Sequence, residues 1–238
     1  VWSDTCNDYS AARIIFTDTE TSNWTWDPVA KQYYWHRFFA HQPDLNWDNP
    51  TVKERMFEVM EFWMDFGIDG FRIDAATHFF EKKGVDGTAV ENAGEVMMEL
   101  NKCVQSMRPN AVLLAESDVE AEEIQPYVGD GNRMNMLFNF LLNNSLFLAL
   151  AREDARPLRE RINSQLDLPE AVQWVNFIRN LDELDLERLS EEERHEVFDA
   201  FAPSKNMQVY ERGIRRRIAP MLGGSKDHLQ LVFSLLMS

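Results

Sequence analysis

In PTVKERMFEVMEFWMDFGIDGFRIDA, Pro50 to Ala75, one periodicity gives way to another. Val52, Met56, Val59, Met60 and Trp63 recur at helical spacing, Pro50 fits the first turn behind a capping residue, and Gly67 supplies a stop. Ile68 to Ala75 then reads as a short strand. Outward from this unit the alternation repeats. A loop with Gly84 and Gly87 leads to a helix from about Ala89 to Met107, closed by Pro109. Ala111 to Ala115 is an unbroken apolar run suited to a strand covered on both faces, and an acidic helical stretch follows to Gly129. Met134 to Phe140 forms a third strand with helical pattern through Arg161, and Ala171 to Ile178 a fourth, with helices from there to the C-terminus.

Strands alternating with helices imply an α/β fold with a parallel sheet and right-handed crossovers. Four long strand–helix units are too few for a closed eight-stranded barrel, which takes about 250 residues. The expectation is therefore part of a (β/α)8 TIM barrel, a piece of a longer protein, with a small doubly wound sheet as the alternative. A half barrel leaves two unpaired edges. Residues 1–47 carry Trp24, Trp26, Tyr33, Tyr34, Trp35, Phe38 and Phe39 but little periodicity, and read as an aromatic-rich loop subdomain; 48–238 read as the partial barrel.

Composition narrows the partners. Of 238 residues, 24 are Lys or Arg and 40 Asp or Glu, a formal net charge of −16 that repels nucleic acid and anionic lipid. Cys6 and Cys103 match no zinc spacing or disulfide framework and read as separate thiols. The most apolar stretch, Met134 to Ala151, is interrupted by Asn135, Asn139, Asn143, Asn144 and Ser145, so no membrane span is expected. The chain opens on Val1 with no basic-then-apolar leader, which predicts a cytoplasmic protein, and without an initiator Met, which predicts a missing N-terminus.

In Gly70-Phe71-Arg72-Ile73-Asp74, alternation puts Arg72 and Asp74 on one face, where a charge is costly unless paired. The arginine would hold Asp74 anionic; a purely structural ion pair is the plainer reading. Glu116 follows the AVLLA strand directly, and Asp182 follows Trp174 to Asn180, so both also sit at strand C-termini. If the strands share one inward-curved sheet, three carboxylates gather at one mouth. The least compensated keeps its proton and can act as an acid, while one beside arginine stays anionic and can attack, a division of labour suited to cleaving an acetal.

The runs QPDLNWDNP (42–50), GFRIDA (70–75), LLAE (113–116) and RNLDE (179–183) resemble, in order, the signature motifs of the α-amylase superfamily of retaining glycoside hydrolases and transglycosidases. Within it, residues 18–46, REDARP (152–157) and GIRRRIAP (213–220) look like the branch that converts maltose to trehalose. The resemblance implies a covalent glucosyl-enzyme, with Asp74 as nucleophile, Glu116 as general acid and base, Asp182 gripping sugar hydroxyls, Arg72 positioning Asp74, and Asn180 among the substrate contacts. It also implies a small disaccharide as partner and a structural calcium ion bound by Asp44, Glu81 and the carbonyls of His78 and Phe79; oxygen donors suit that ion. No organic cofactor is implied. One departure stands out: the family has histidine where this chain has Leu181. Losing that hydrogen bond to the sugar would cost about 1–3 kcal/mol, roughly ten- to a hundredfold in rate. A non-catalytic relative that keeps the barrel for binding, and a plain hydrolase, are the alternatives.

Plainer readings apply to the remaining features. The aromatics between 24 and 39 read more readily as packing than as sugar platforms. His78 reads as a loop residue bound to backbone, and His36 and His41 fall in no metal-spaced cluster. Arg212, Arg215, Arg216 and Arg217, placed on a helix, would spread over more than one face and read as salt-bridge partners or a solvated surface. Ser190 reads as a helix cap.

Overall fold

The computed structural model describes residues 1–79, 93–180 and 182–237, so Glu81, Gly84, Gly87, the start of the helix near Ala89, and Leu181 lie outside the described residues. The chain divides into two compact units, Val1–Leu114 with Asn132–Met134, and Ala115–Gly131 with Asn135–Ser238.

The first unit opens with a small antiparallel sheet of β1 (Trp2–Ser3), β2 (Trp24–Asp27) and β3 (Gln32–Trp35), in the order β1-β3-β2. Asp27 makes the hairpin turn possible, since its Oδ1 accepts from the amides of Val29 and Ala30 at 2.7 and 2.9 Å. Trp24 and Trp35 are buried against Ala12, with ring centroids 5.2 Å apart, and Tyr9 stacks on Trp24. Packing accounts for these two tryptophans, while Trp26 remains half exposed.

Helix α1 (Pro50–Phe66) begins and ends where local chemistry dictates. Asn49 Oδ1 accepts from the Thr51 amide at 3.0 Å, Pro50 takes the first turn, and Gly67 closes the helix at φ 108° with its amide on the Met64 carbonyl. The buried side carries Met60 and Met64; Val59 and Trp63, which share the helical spacing, are exposed with Phe62 and Phe66. Next come β4 (Gly70–Ile73), α2 (Ala76–Phe79), α3 (Ala93–Met107) and β5 (Val112–Ala115), with β4 and β5 neighbours. A side chain at Gly70 would collide with the Val112 carbonyl. Met97, Leu100 and Val104 turn the buried face of α3 inward, and Ala111, Leu113 and Ala115 are buried along the strand segment.

In the second unit the acidic stretch is not one helix. Pro126 lacks an amide proton, and the stretch forms a 3-10 turn (Ala121–Glu123) followed by α4 (Gln125–Val128). Strand β6 (Met136–Phe138) and β7 (Gln173–Val175) pair in parallel, joined through α5 (Phe140–Arg152) and α6 (Arg156–Asn163). The polar interruptions in α5 serve its packing: Asn143 Nδ2 donates to the Phe177 and Ile178 carbonyls at 2.8 Å each, and Asn144 Nδ2 to the Asp185 carbonyl at 3.0 Å. Among the described residues no helix is long and apolar enough to cross a membrane.

The expectation of helices alone after the fourth strand is wrong. Beyond β7, β8 (Leu184–Asp185), β9 (Gln208–Val209) and β10 (Gly213–Ile214) form an antiparallel sheet in the order β8-β10-β9, alongside α7 (Glu191–Phe201), α8 (Ile218–Met221) and α9 (Lys226–Leu236). Two-residue strands carry no alternation to read. The arginines placed on a helix instead flank β10, with Arg216 donating to the Phe201 and Pro220 carbonyls at 2.7 and 2.6 Å and Arg215 to the Gln208 carbonyl at 3.1 Å. Ser190 caps α7 in a reciprocal box with Glu193. Phe147, Leu184, Leu186, Val197, Ile214 and Val232 form the centre of the core. Both cysteines are free thiols. From β4 to β7, short strands alternating with helices make a partial α/β barrel, as expected.

Candidate active site

Arg72 and Asp74 leave β4 on the same side, as alternation requires, and pair through Arg72 Nη1 and Asp74 Oδ1 at 2.7 Å. Both side chains are exposed, 46% and 74%. Ala75, directly after, takes the left-handed φ of 45°, which turns the chain sharply from the strand into α2. His78 lies on that short helix rather than in a loop, with its ring edge-on to Phe38 at 5.6 Å.

Asp44 belongs to the same unit. Its Oδ1 accepts from the Arg37 amide at 3.1 Å, and burial pushes its carboxyl above the ordinary range, with that hydrogen bond and the Arg37 charge pulling the other way. An incompletely compensated buried carboxylate is the kind of donor a hard cation satisfies, so Asp44 and the carbonyl oxygens of His78 and Phe79 fit calcium chemically. Glu81, the remaining expected ligand, lies outside the described residues.

Glu116, Asn180 and Asp182 belong to the second unit. Glu116 follows β5 and is half-buried; its Oε1 accepts from Asn180 Nδ2 at 3.0 Å, so the structure brings these two expected site residues together. Asp182 is exposed. The segment carrying Asn180 and Asp182 is held by Arg179, a residue sequence reasoning did not single out. Its guanidinium donates to the carbonyls of Asn180 (2.6 Å), Asp182 (2.8 Å), Arg216 (2.9 Å) and Arg215 (3.1 Å). Burial, aided by the Arg217 charge, lowers its pKa from the usual guanidinium range.

Two further groups were missed. Glu183 has its pKa pushed up to about 7, chiefly by burial and then by the charges of Asp185 and Asp182. Asp118, Asp185 and Glu187 cluster closely enough to hold a cation, and are the one such group among the described residues. Arg188 and Arg212 already interleave them. The acid-rich run from Asp182 to Glu187 was the available signal. A shallow apolar cleft lined by Tyr127, Phe138, Leu141 and Trp174 contains none of the three candidate catalytic carboxylates.

Residues 9–190 match the family model for the α-amylase catalytic domain. The whole chain is 45% identical over 239 residues to a trehalose synthase of Thermus thermophilus, covering 25% of that protein. It is 44% identical over 245 residues to a trehalose synthase/amylase TreS of Mycolicibacterium smegmatis, covering 41% of it. Thus the chain spans a quarter to two-fifths of the length of these relatives. A crystal structure of a trehalulose synthase mutant in complex with Tris superposes with a TM-score of 0.59 over 77% of this chain and 36% of that one, at 23% identity, a likeness of fold.

Proposed function

Since this chain belongs to the α-amylase family, we propose that the protein containing it is a retaining, glucosyl-transferring glycosidase that converts maltose to trehalose. Asp74 attacks the anomeric carbon of the non-reducing glucose, while Glu116 donates its proton to the departing glycosidic oxygen, leaving a glucosyl ester on Asp74. The freed glucose turns within the site. Glu116, now a carboxylate, takes the proton from its anomeric hydroxyl, and that oxygen displaces Asp74 to form the new bond. Asp182 grips sugar hydroxyls, and Arg72 pairs with Asp74 and aims it.

The single observation that carries this reading is the hydrogen bond from Asn180 to Glu116. It ties a carboxyl at a strand end to the segment bearing Asp182, two motifs 64 residues apart in sequence. The choice of mutase over hydrolase is supported by likeness to trehalose synthases over the whole of this chain, since both reactions share the covalent step. A structural calcium ion held by Asp44, Glu81 and the carbonyls of His78 and Phe79 belongs to the same proposal.

The test follows maltose with the complete protein by NMR. Trehalose as main product with minor glucose is expected; glucose alone makes the enzyme a hydrolase. Asp74→Asn should abolish both products, and undiminished turnover there would remove the nucleophile assignment. Leu181, where the family has histidine, favours a second reading as a non-catalytic relative, to which absence of any turnover would point.

A further inference from the structure

Two residues beyond Glu116, the chain turns Asp118 into the second unit's interior, where Arg188 Nε meets its Oδ1 at 3.0 Å. The same guanidinium reaches Glu120 Oε1 through Nη1 at 2.9 Å and lies 3.8 Å from Glu187 Oε1 through Nη2. Arg212 Nε stands 3.2 Å from both Asp185 Oδ2 and Glu187 Oε2. Asp185 Oδ1 in turn accepts from the Glu187 amide at 2.7 Å, and Leu186 donates its amide to the Arg212 carbonyl at 3.0 Å. Asp118, Asp185, Glu187, Arg188 and Arg212 expose between 12% and 23% of their side chains.

Five charges withdrawn from water are a costly way to hold a fold that apolar side chains could hold as well. What they add is direction. The Arg188 guanidinium, ion-paired with Asp118 and donating to Glu120, links the segment after β5 to the segment from Asp185 to Arg188, just past Asp182, while Arg212 holds Asp185 and Glu187 from the β10 side. Glu116 is therefore held from two sides, by the Asn180 amide on its carboxylate and by Asp118 two residues along the backbone. A metal in the acid cluster would have to displace both arginines, so the ion-pair network is itself the occupant.

We propose that Arg188, through its forked pairing with Asp118, Glu120 and Glu187, is a positioning residue that aims Glu116 at the glycosidic oxygen. The proposal rests on the reading of Glu116 as acid and base. A misplacement of about 1 Å costs on the order of a hundredfold in rate, so the effect should be seen in proton delivery rather than in binding.

The experiment uses the complete protein with two substrates. Maltose expels glucose through its O4 oxygen, which needs the proton; α-glucosyl fluoride expels fluoride, which barely does. Arg188→Lys keeps the charge but not the fork. It should lower kcat on maltose by roughly ten- to a hundredfold with KM within about twofold, while first-turnover fluoride release stays within about twofold. If this variant does not fold, Arg188→Met with Asp118→Asn, which removes the pair together, carries the same expectation. Wild-type maltose turnover in a folded variant, or equal losses on both substrates, overturns the positioning role. Glu116→Gln in parallel separates the two levels. Full maltose turnover there overturns the acid/base assignment and this proposal with it; loss there beside an unaffected Arg188→Lys overturns this proposal alone.

Discussion

Replacing Glu183 with glutamine should stabilise the fold at pH 8 and leave it unchanged at pH 4. The side chain lies against β10, its Cγ 3.4 Å from where a Cβ on Gly213 would stand. Burial is the main reason its proton is retained, Asp185 and Asp182 add to it, and Arg212 only partly offsets them. Unfolded, the carboxyl ionises at its ordinary 4.5; folded, it does so at about 7. Between those values the native state binds more protons than the unfolded chain, so stability falls as pH rises from 4.5 to 7, and the whole penalty is present above 7. At about 1.36 kcal/mol for each pH unit, the interval amounts to roughly 3 kcal/mol. Because the side chain is only partly buried, solvent screening brings the expected gain down to about 1.5 kcal/mol.

Glutamine keeps the shape and cannot ionise. Urea unfolding of wild type and Glu183→Gln at pH 4, 6 and 8 should therefore give a difference that opens from zero to about 1.5 kcal/mol in favour of the variant. Burial raises the pKa of Asp118 and Asp185 as well, so both proteins lose stability over this range, and only the difference between them reports on Glu183. A difference that stays flat with pH, or that favours wild type at pH 8, would show that Glu183 titrates like a solvated carboxyl and would refute the argument.

Gly70→Ala drives a methyl into the Val112 carbonyl, which cannot yield without parting β4 from β5; a loss above about 3 kcal/mol or failure to fold is expected, read by thermal unfolding. Ser190→Ala removes the acceptor for the Glu193 amide at the start of α7 and should cost about 1 kcal/mol in urea unfolding. Asn143→Leu leaves the Phe177 and Ile178 carbonyls without their donor inside the core and should cost about 2–4 kcal/mol despite the added apolar volume.

Helix α1 was readable because its punctuation is local: Asn49, Pro50 and Gly67 act on their own neighbours. Its buried face was read only in part, since Val59 and Trp63 share the apolar period but face outward. The pairing of Arg72 with Asp74 follows from strand geometry alone and could be read from five residues. The antiparallel sheet of β8, β9 and β10 could not, because strands of two residues leave no pattern. Nor could the network around Arg188, whose partner Asp118 is 70 positions away and whose identity as a partner depends on the tertiary fold. Asn143 and Asn144 show the same limit from another side. Their polarity ruled out a membrane span from sequence, yet only the structure shows the carbonyls they serve.

Glu183 also tests how the acid should be chosen. Its pKa, pushed up to about 7, lies in the range a general acid needs. Geometry has to come first. Glu183 lies against Gly213 beside β10, and after burial the charges that act on its pKa are those of Asp185, Asp182, Arg212 and Glu116, so structural and candidate catalytic acids both contribute. Glu116 stands instead at the C-terminal end of a sheet strand, where this class of fold collects its reacting groups, with the Asn180 amide on one oxygen. A pKa raised first of all by burial does not by itself make Glu183 the acid. In the proposed mechanism the transferred proton is that of Glu116, on whose carboxylate the Asn180 amide is fixed.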